Sequence, residues 1–173
     1  MFMLNENSST IDYSKKCESV KEYFLQDENF KNTKNNINKI NKNFKDIFSS
    51  FCNFYQENEI IIDYRYFKLL EQINGLDKDF IIEYLVKTIQ TVLQKKDKFF
   101  IHVCLQSLSI SDIEKQYKFI CKLSETLNNV IPDISDKLEK CFLYKAPFML
   151  SQLISILSTC VNKKTLSNIQ VVK

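Results

Sequence analysis

A chain of 173 residues, 45% of them hydrophobic, is long enough for one domain with a sizeable core and an extra segment. The net charge of +3 is small and dispersed, and Arg65 is the only arginine able to make a bidentate contact to phosphate or guanine. That composition excludes a nucleic-acid reader, and the excess of Lys, Asn and Ile reads as coding bias rather than mechanism.

The chain opens with MFMLNENSST, which turns polar at Asn5, well short of a signal-peptide apolar core. Cys17, Cys52, Cys104, Cys121, Cys141 and Cys160 form no C-x-x-C pair, and most lie in apolar, periodic segments where a free thiol acts as a small hydrophobe. Together these features predict a reduced protein of cytosolic type. Residues 1–43 read as a separate N-terminal region. Within it, IDYSKKCESVKEYFLQ places Cys17, Val20, Tyr23 and Phe24 at helical spacing. The following ENFKNTKNNINKINKN reads as a solvated, partly disordered Asn/Lys linker. FKDIFSSFCNFYQ then carries a helical stripe of Phe44, Ile47, Phe48, Phe51, Phe54 and Tyr55 that needs a partner surface.

From residue 59 strands and helices alternate. EIIIDYRYF (59–67) reads as a strand, and DKDFIIEYLVKTIQTVLQ (77–94) as an amphipathic helix. KFFIHVCLQ (98–106) is a continuous apolar run, as in a strand buried on both faces. The next helix opens with Ser111 and Glu114 in capping-box spacing. EKCFLYK (139–145) is a third strand, Pro147 suits the first turn of a helix reaching about Cys160, and SNIQVVK ends the chain as a fourth strand. The β-α-β-α-β-α-β order predicts an α/β domain over 44–173, with a mainly parallel sheet of about four strands and extra N-terminal helices. Its crossover helices share one face, and the Phe-rich 44–55 stretch is the natural cover for the other.

Signs of catalysis are sparse. His102, the only histidine, lies mid-strand, where a core histidine is commoner than a catalytic one, and no nucleophile motif accompanies it. The spacing offers no zinc site, and with Gly75 the only glycine, Gly-rich phosphate loops are precluded. No catalytic residue, metal or cofactor is predicted, and the chain reads as a non-enzyme.

One stretch stands apart. APFMLSQLISILSTCV, residues 146–161, is uncharged but flanked by Lys145 and by Lys163 and Lys164. A membrane span needs about 20 apolar residues, and this run is shorter and diluted by Ser and Thr. As a helix it is apolar over most of its circumference, so it is buried on two sides, by protein or by a greasy ligand. The pattern alone favours core packing over a ligand wall.

The second half of the chain resembles a Sec14-like (CRAL-TRIO) lipid-binding domain, in the style of the short divergent branch found with Rho GTPase-activating proteins. The likeness covers roughly residues 59–172. Ser107-Leu108-Ser109 stands where that family has a Gly-Ile/Leu-Ser motif, and Ser135-Asp136-Lys137-Leu138 where it has a Tyr-Pro-Glu-Arg-like corner. Lys145-Ala146-Pro147-Phe148 matches its Asn-Ala-Pro strand end, and Thr165-Leu166-Ser167-Asn168-Ile169 its Thr-x-x-Lys-Ile strand. The resemblance implies a gate helix over 147–160 and a lipophile, such as a phospholipid, held between that helix and the sheet and exchanged at membrane surfaces. The implied pocket residues are Ile101, Val103, Phe142, Phe148, Met149, Leu153, Ile156 and Leu157. Asp136, Lys145, Lys163, Lys164 and Asn168 are the implied headgroup-proximal set. Such a carrier is cytoplasmic and peripheral on membranes. The alternative is a protein-interaction scaffold of the same fold that docks a small GTPase or another partner. The pattern departs at Ser107 in place of glycine, at Cys104 in place of the strand-end acid, and at Asn168 in place of the lysine tied to phosphoinositide headgroups.

Overall fold

The structure is a computed structural model that describes residues 11–36 and 44–173. The expectation about the opening MFMLNENSST, and the 37–43 part of the predicted linker, lie outside the described residues. The rest of that linker is not a loop: Asp27–Asn36 forms helix α2, after α1 (Ser14–Phe24).

The sheet is α/β and mostly parallel, but it has five strands rather than four. α3 (Phe44–Phe51) runs directly into β1 (Cys52–Gln56), which turns back antiparallel onto β2 (Glu59–Asp63). β2, β3 (Phe99–Cys104), β4 (Leu138–Tyr144) and β5 (Ile169–Val172) then pair in parallel, giving the order β1-β2-β3-β4-β5. The aromatic stripe expected over 44–55 is thus part helix and part strand. The β2 expectation over 59–67 is also halved, because Asp63 caps α4 (Tyr64–Leu70) by accepting from the Arg65 amide at 3.0 Å.

The crossovers are α4 with α5 (Lys78–Leu93), α6 (Ile110–Val130) with α7 (Ile134–Lys137), and α8 (Leu150–Leu157) with α9 (Lys163–Ser167). The capping box of α6 lies two residues earlier than expected, at Ser109 and Asp112. The Asp112 amide donates to Ser109 Oγ at 3.2 Å, and Asp112 Oδ2 accepts from the Ser109 amide at 2.9 Å.

Side chains alternate across the strands, so each sheet face has its own core. On one face Ile60, Ile101 and Cys141 meet α5 and α6, joined by Ile47, Phe48 and Phe51 of α3. On the other, Ile61, Cys104, Phe142 and Tyr144 are covered by Cys17, Val20 and Phe24 of α1. The cover expected from 44–55 is therefore supplied by α1. Because α3 enters β1 without a connector, it stays on the crossover side against α4. The second face is left to the one amphipathic helix that has chain enough to reach it.

An apolar slot beside helix α8

The face under α6, α8 and α9 holds a narrow cavity of about 200 Å3. Ile101 and Cys141 form its floor, Ile120 and Leu127 of α6 one wall, and Leu157 of α8 and Leu166 of α9 the other. Among its lining side chains only Ser124, Asn128 and Thr165 are polar. Burial pushes the Cys141 thiol up to about 12, so it stays protonated and serves as apolar floor. The strands place Ile101 and Cys141 side by side because they are register partners in adjacent parallel strands.

The slot contains two of the residues predicted for a pocket, Ile101 and Leu157. Val103, Ile156 and the buried Leu153 pack beside it, in a closed cluster with Leu105, Ile113 and Leu143. Phe142 is on the opposite face, fully buried beneath α1, because its strand position alternates with that of Cys141. Met149 is half-buried just before α8, and Phe148 is 100% exposed. The helix itself is short, Leu150–Leu157, rather than running over 147–160.

The predicted headgroup set divides between the two ends of β4. Asp136 and Lys164 form an ion pair at the α7–α9 end, beside exposed Lys163. There Asn168 is a structural tie, its amide donating to the Leu138 carbonyl at 2.8 Å. Lys145 follows the other end of the strand, where its ammonium donates to Gln106 Oε1 at 2.7 Å. Seven strand residues at about 3.3 Å each put some 20 Å between those ends. A single headgroup does not touch both.

The opposite face carries a feature that spacing did not reveal. His102 is fully buried, with Nε2 3.0 Å from Glu59 Oε2 and Nδ1 2.7 Å from the Tyr144 hydroxyl. Glu59 also pairs with Lys16 of α1, and Cys17 of α1 is buried in the same cluster as Tyr144. With the Glu59 carboxylate accepting from both Lys16 and His102, the ring Nδ1 accepts from Tyr144, and both nitrogens of the buried imidazole have partners. Burial drives the Tyr144 hydroxyl far above its ordinary value, so it stays a donor. Only the presence of Glu59 and His102 in apolar strands hinted at this network, since their pairing depends on register. A wider groove of about 440 Å3 lies on the same face, between α1 and β5, with Lys21, Lys145 and Lys173 on its rim. Lys21 is already paired with Glu18, and Lys145 with Gln106.

Among the described residues no helix is long and apolar enough to cross a membrane, and no cluster of His, Cys, Asp and Glu is placed to hold a metal. Compared with protein-family models and with curated proteins, the chain matches none.

Proposed function

We propose that the chain is a non-catalytic binding module of the Sec14-like kind, which holds one narrow lipophile in the slot beside α8. The observation that carries this reading is the slot itself, apolar on nearly all of its lining and set between the sheet and the helix in question. Its roughly 200 Å3 exceeds the roughly 150 Å3 cavity that takes one benzene, and falls short of the roughly 300 Å3 where ordinary ligand pockets begin. It suits part of a single acyl chain, with a headgroup left outside near Lys163, rather than a whole diacyl phospholipid.

The backbone at two positions of the family pattern also supports the reading. Ser107 and Lys145 stand at φ 70° and 49°, in the left-handed region that glycine and asparagine occupy readily. Glycine and asparagine are the residues the pattern has there, so the turns at the ends of β3 and β4 keep the backbone that it implies.

The test is native mass spectrometry of protein purified without detergent, followed by lipid extraction and an exchange assay against liposomes. The expected result is one bound single-chain lipophile, lost in a slot-filling Leu157→Phe variant that still folds. A bare mass with no exchange, or equal loading of the variant, would overturn the assignment.

The alternative reading, a docking scaffold for a small GTPase or another protein, is favoured by one observation. Phe148 is fully exposed where β4 leads into α8, and an exposed aromatic of that kind is a common anchor in protein interfaces.

A further inference from the structure

Cys121 and Cys160 are far apart in sequence, yet they stand on facing segments, the middle of α6 and the turn after α8. Both are half-buried, within reach of a small oxidant. The alignment of the two segments is held independently by Tyr117, one turn earlier on α6, whose hydroxyl lies 2.8 Å from Thr159 Oγ1. Their sequence neighbours Ile120 and Val161 line the apolar slot from opposite sides, as does Leu157 one turn before Cys160. We propose that Cys121 and Cys160 are a redox-modification site, a dithiol that closes to a disulfide and pins the end of α8 to α6 across the slot. This rests on the slot reading for its consequence, but not for its chemistry.

Burial, and then the neighbouring Cys121 thiol, push the Cys160 thiol up to about 12, so Cys160 rests as a protonated thiol. The oxidant class is a small-molecule disulfide such as glutathione disulfide. Cys121 gives its proton to solvent and attacks one glutathione sulfur, breaking the S–S bond and expelling one glutathione thiolate. Cys160 then attacks the Cys121 sulfur of the mixed disulfide, and its proton passes to the second departing glutathione. The two protein thiols lose two electrons and the glutathione disulfide gains them, leaving two glutathione thiols. Cys160 sits in a turn beyond the regular helix, where the backbone can adjust to bring the two sulfurs to bonding distance.

The remaining cysteines serve as internal controls. Cys17, Cys52 and Cys104 are buried, and Cys141 lies on the slot floor.

The experiment treats the reduced full chain with excess glutathione disulfide, maps its peptides without reduction, and follows uptake of the uncharged fluorophore N-phenyl-1-naphthylamine. The expected map shows one internal Cys121–Cys160 link, with a mass lower by two hydrogens. Uptake should be several-fold slower in the linked form, and a Cys160→Ser variant should take up probe normally whether or not oxidant is present. No link, a different pair, or a glutathione adduct that never resolves would overturn the proposal. Equal uptake by linked and reduced forms would overturn the pinning of the slot. If the reduced protein takes up no probe at all, the slot reading fails, while the peptide map still decides the disulfide.

Discussion

Arg65 shows how one residue can mislead by type and inform by position. As the only arginine it invites thoughts of phosphate, but it is 4% exposed and spent on internal bonds. Its Nε and one terminal nitrogen reach the two Asp63 oxygens at 3.1 and 2.8 Å, that nitrogen also donates to the Phe24 carbonyl, and the guanidinium lies over the Phe30 ring. One group therefore joins β2, the end of α1 and α2. Arg65→Lys keeps the charge but not the fork or the stacking face. It should cost about 2–3 kcal/mol, read as a fall in urea midpoint, because a buried pair with poor geometry no longer offsets its desolvation. The opposite sign is expected at Ser107, whose φ of 70° strains any side chain. Ser107→Gly should add up to about 1 kcal/mol, the relief of left-handed strain exceeding the extra entropy of an unfolded glycine. A midpoint that falls in Ser107→Gly would mean that the hydroxyl, rather than the backbone, matters at that turn.

At the scale of elements, the long helices α5 and α6 and the parallel strands β3 and β4 were legible because their periodicities are long and unmixed, whereas the short α7 and α9 were not. What was not legible came from places where one pattern runs into another. Cys52–Gln56 continues the aromatic spacing of α3, and the hairpin after it pairs Gln56 with Glu59 through a turn lacking the Gly that usually announces one. Asp63 reads as strand until its side chain is seen to cap α4. The two predicted residues that line the slot, Ile101 and Leu157, lie where strand and helix periods are clean. Phe142 was misplaced by a face, since a strand buried on both sides gives no alternation to read. The docking of α1 was hidden for a different reason. Its apolar positions were evident, but their partners are more than thirty residues away in sequence, and Lys16 finds Glu59 only through the fold. Val20 is fully buried at the centre of that contact. Val20→Asp should strip α1 from the sheet, lowering stability by about 3 kcal/mol or more and exposing residues before β1 to limited proteolysis. Unchanged protease resistance would show that α1 contributes little to holding this face shut.

Across the whole molecule, the layers are tied by carboxylates that cross between elements, and this sets the direction of its response to acid. Burial raises the Glu59 carboxyl, but the bonds from His102 and Lys16 outweigh it and leave the group more acidic than its ordinary 4.5. Glu71 on α4 follows the same balance, with Gln116 of α6 at 2.8 Å and Lys78 of α5 at 3.0 Å overcoming burial. So does Asp112, opposed by burial but lowered by Ser109 and by Lys68 of α4. Glu139 of β4 is lowered first by Lys98, which precedes β3. Each of these groups is more acidic folded than unfolded. Each therefore adds stability above its unfolded pKa, and that stability is lost as pH falls through the lower folded value. The urea midpoint should hold nearly level from pH 7 to about 5.5 and then fall progressively below about pH 4.5, with net proton uptake on unfolding. Because Glu59 fixes α1 while Glu71 and Asp112 fix α4 to α5 and α6, acid should loosen both faces together. Hydrogen exchange at pH 4 should thus rise in α1 and in α4 alike. A midpoint unchanged between pH 6 and pH 3, or loosening confined to one face, would show that apolar packing and not these bridges holds the layers in place.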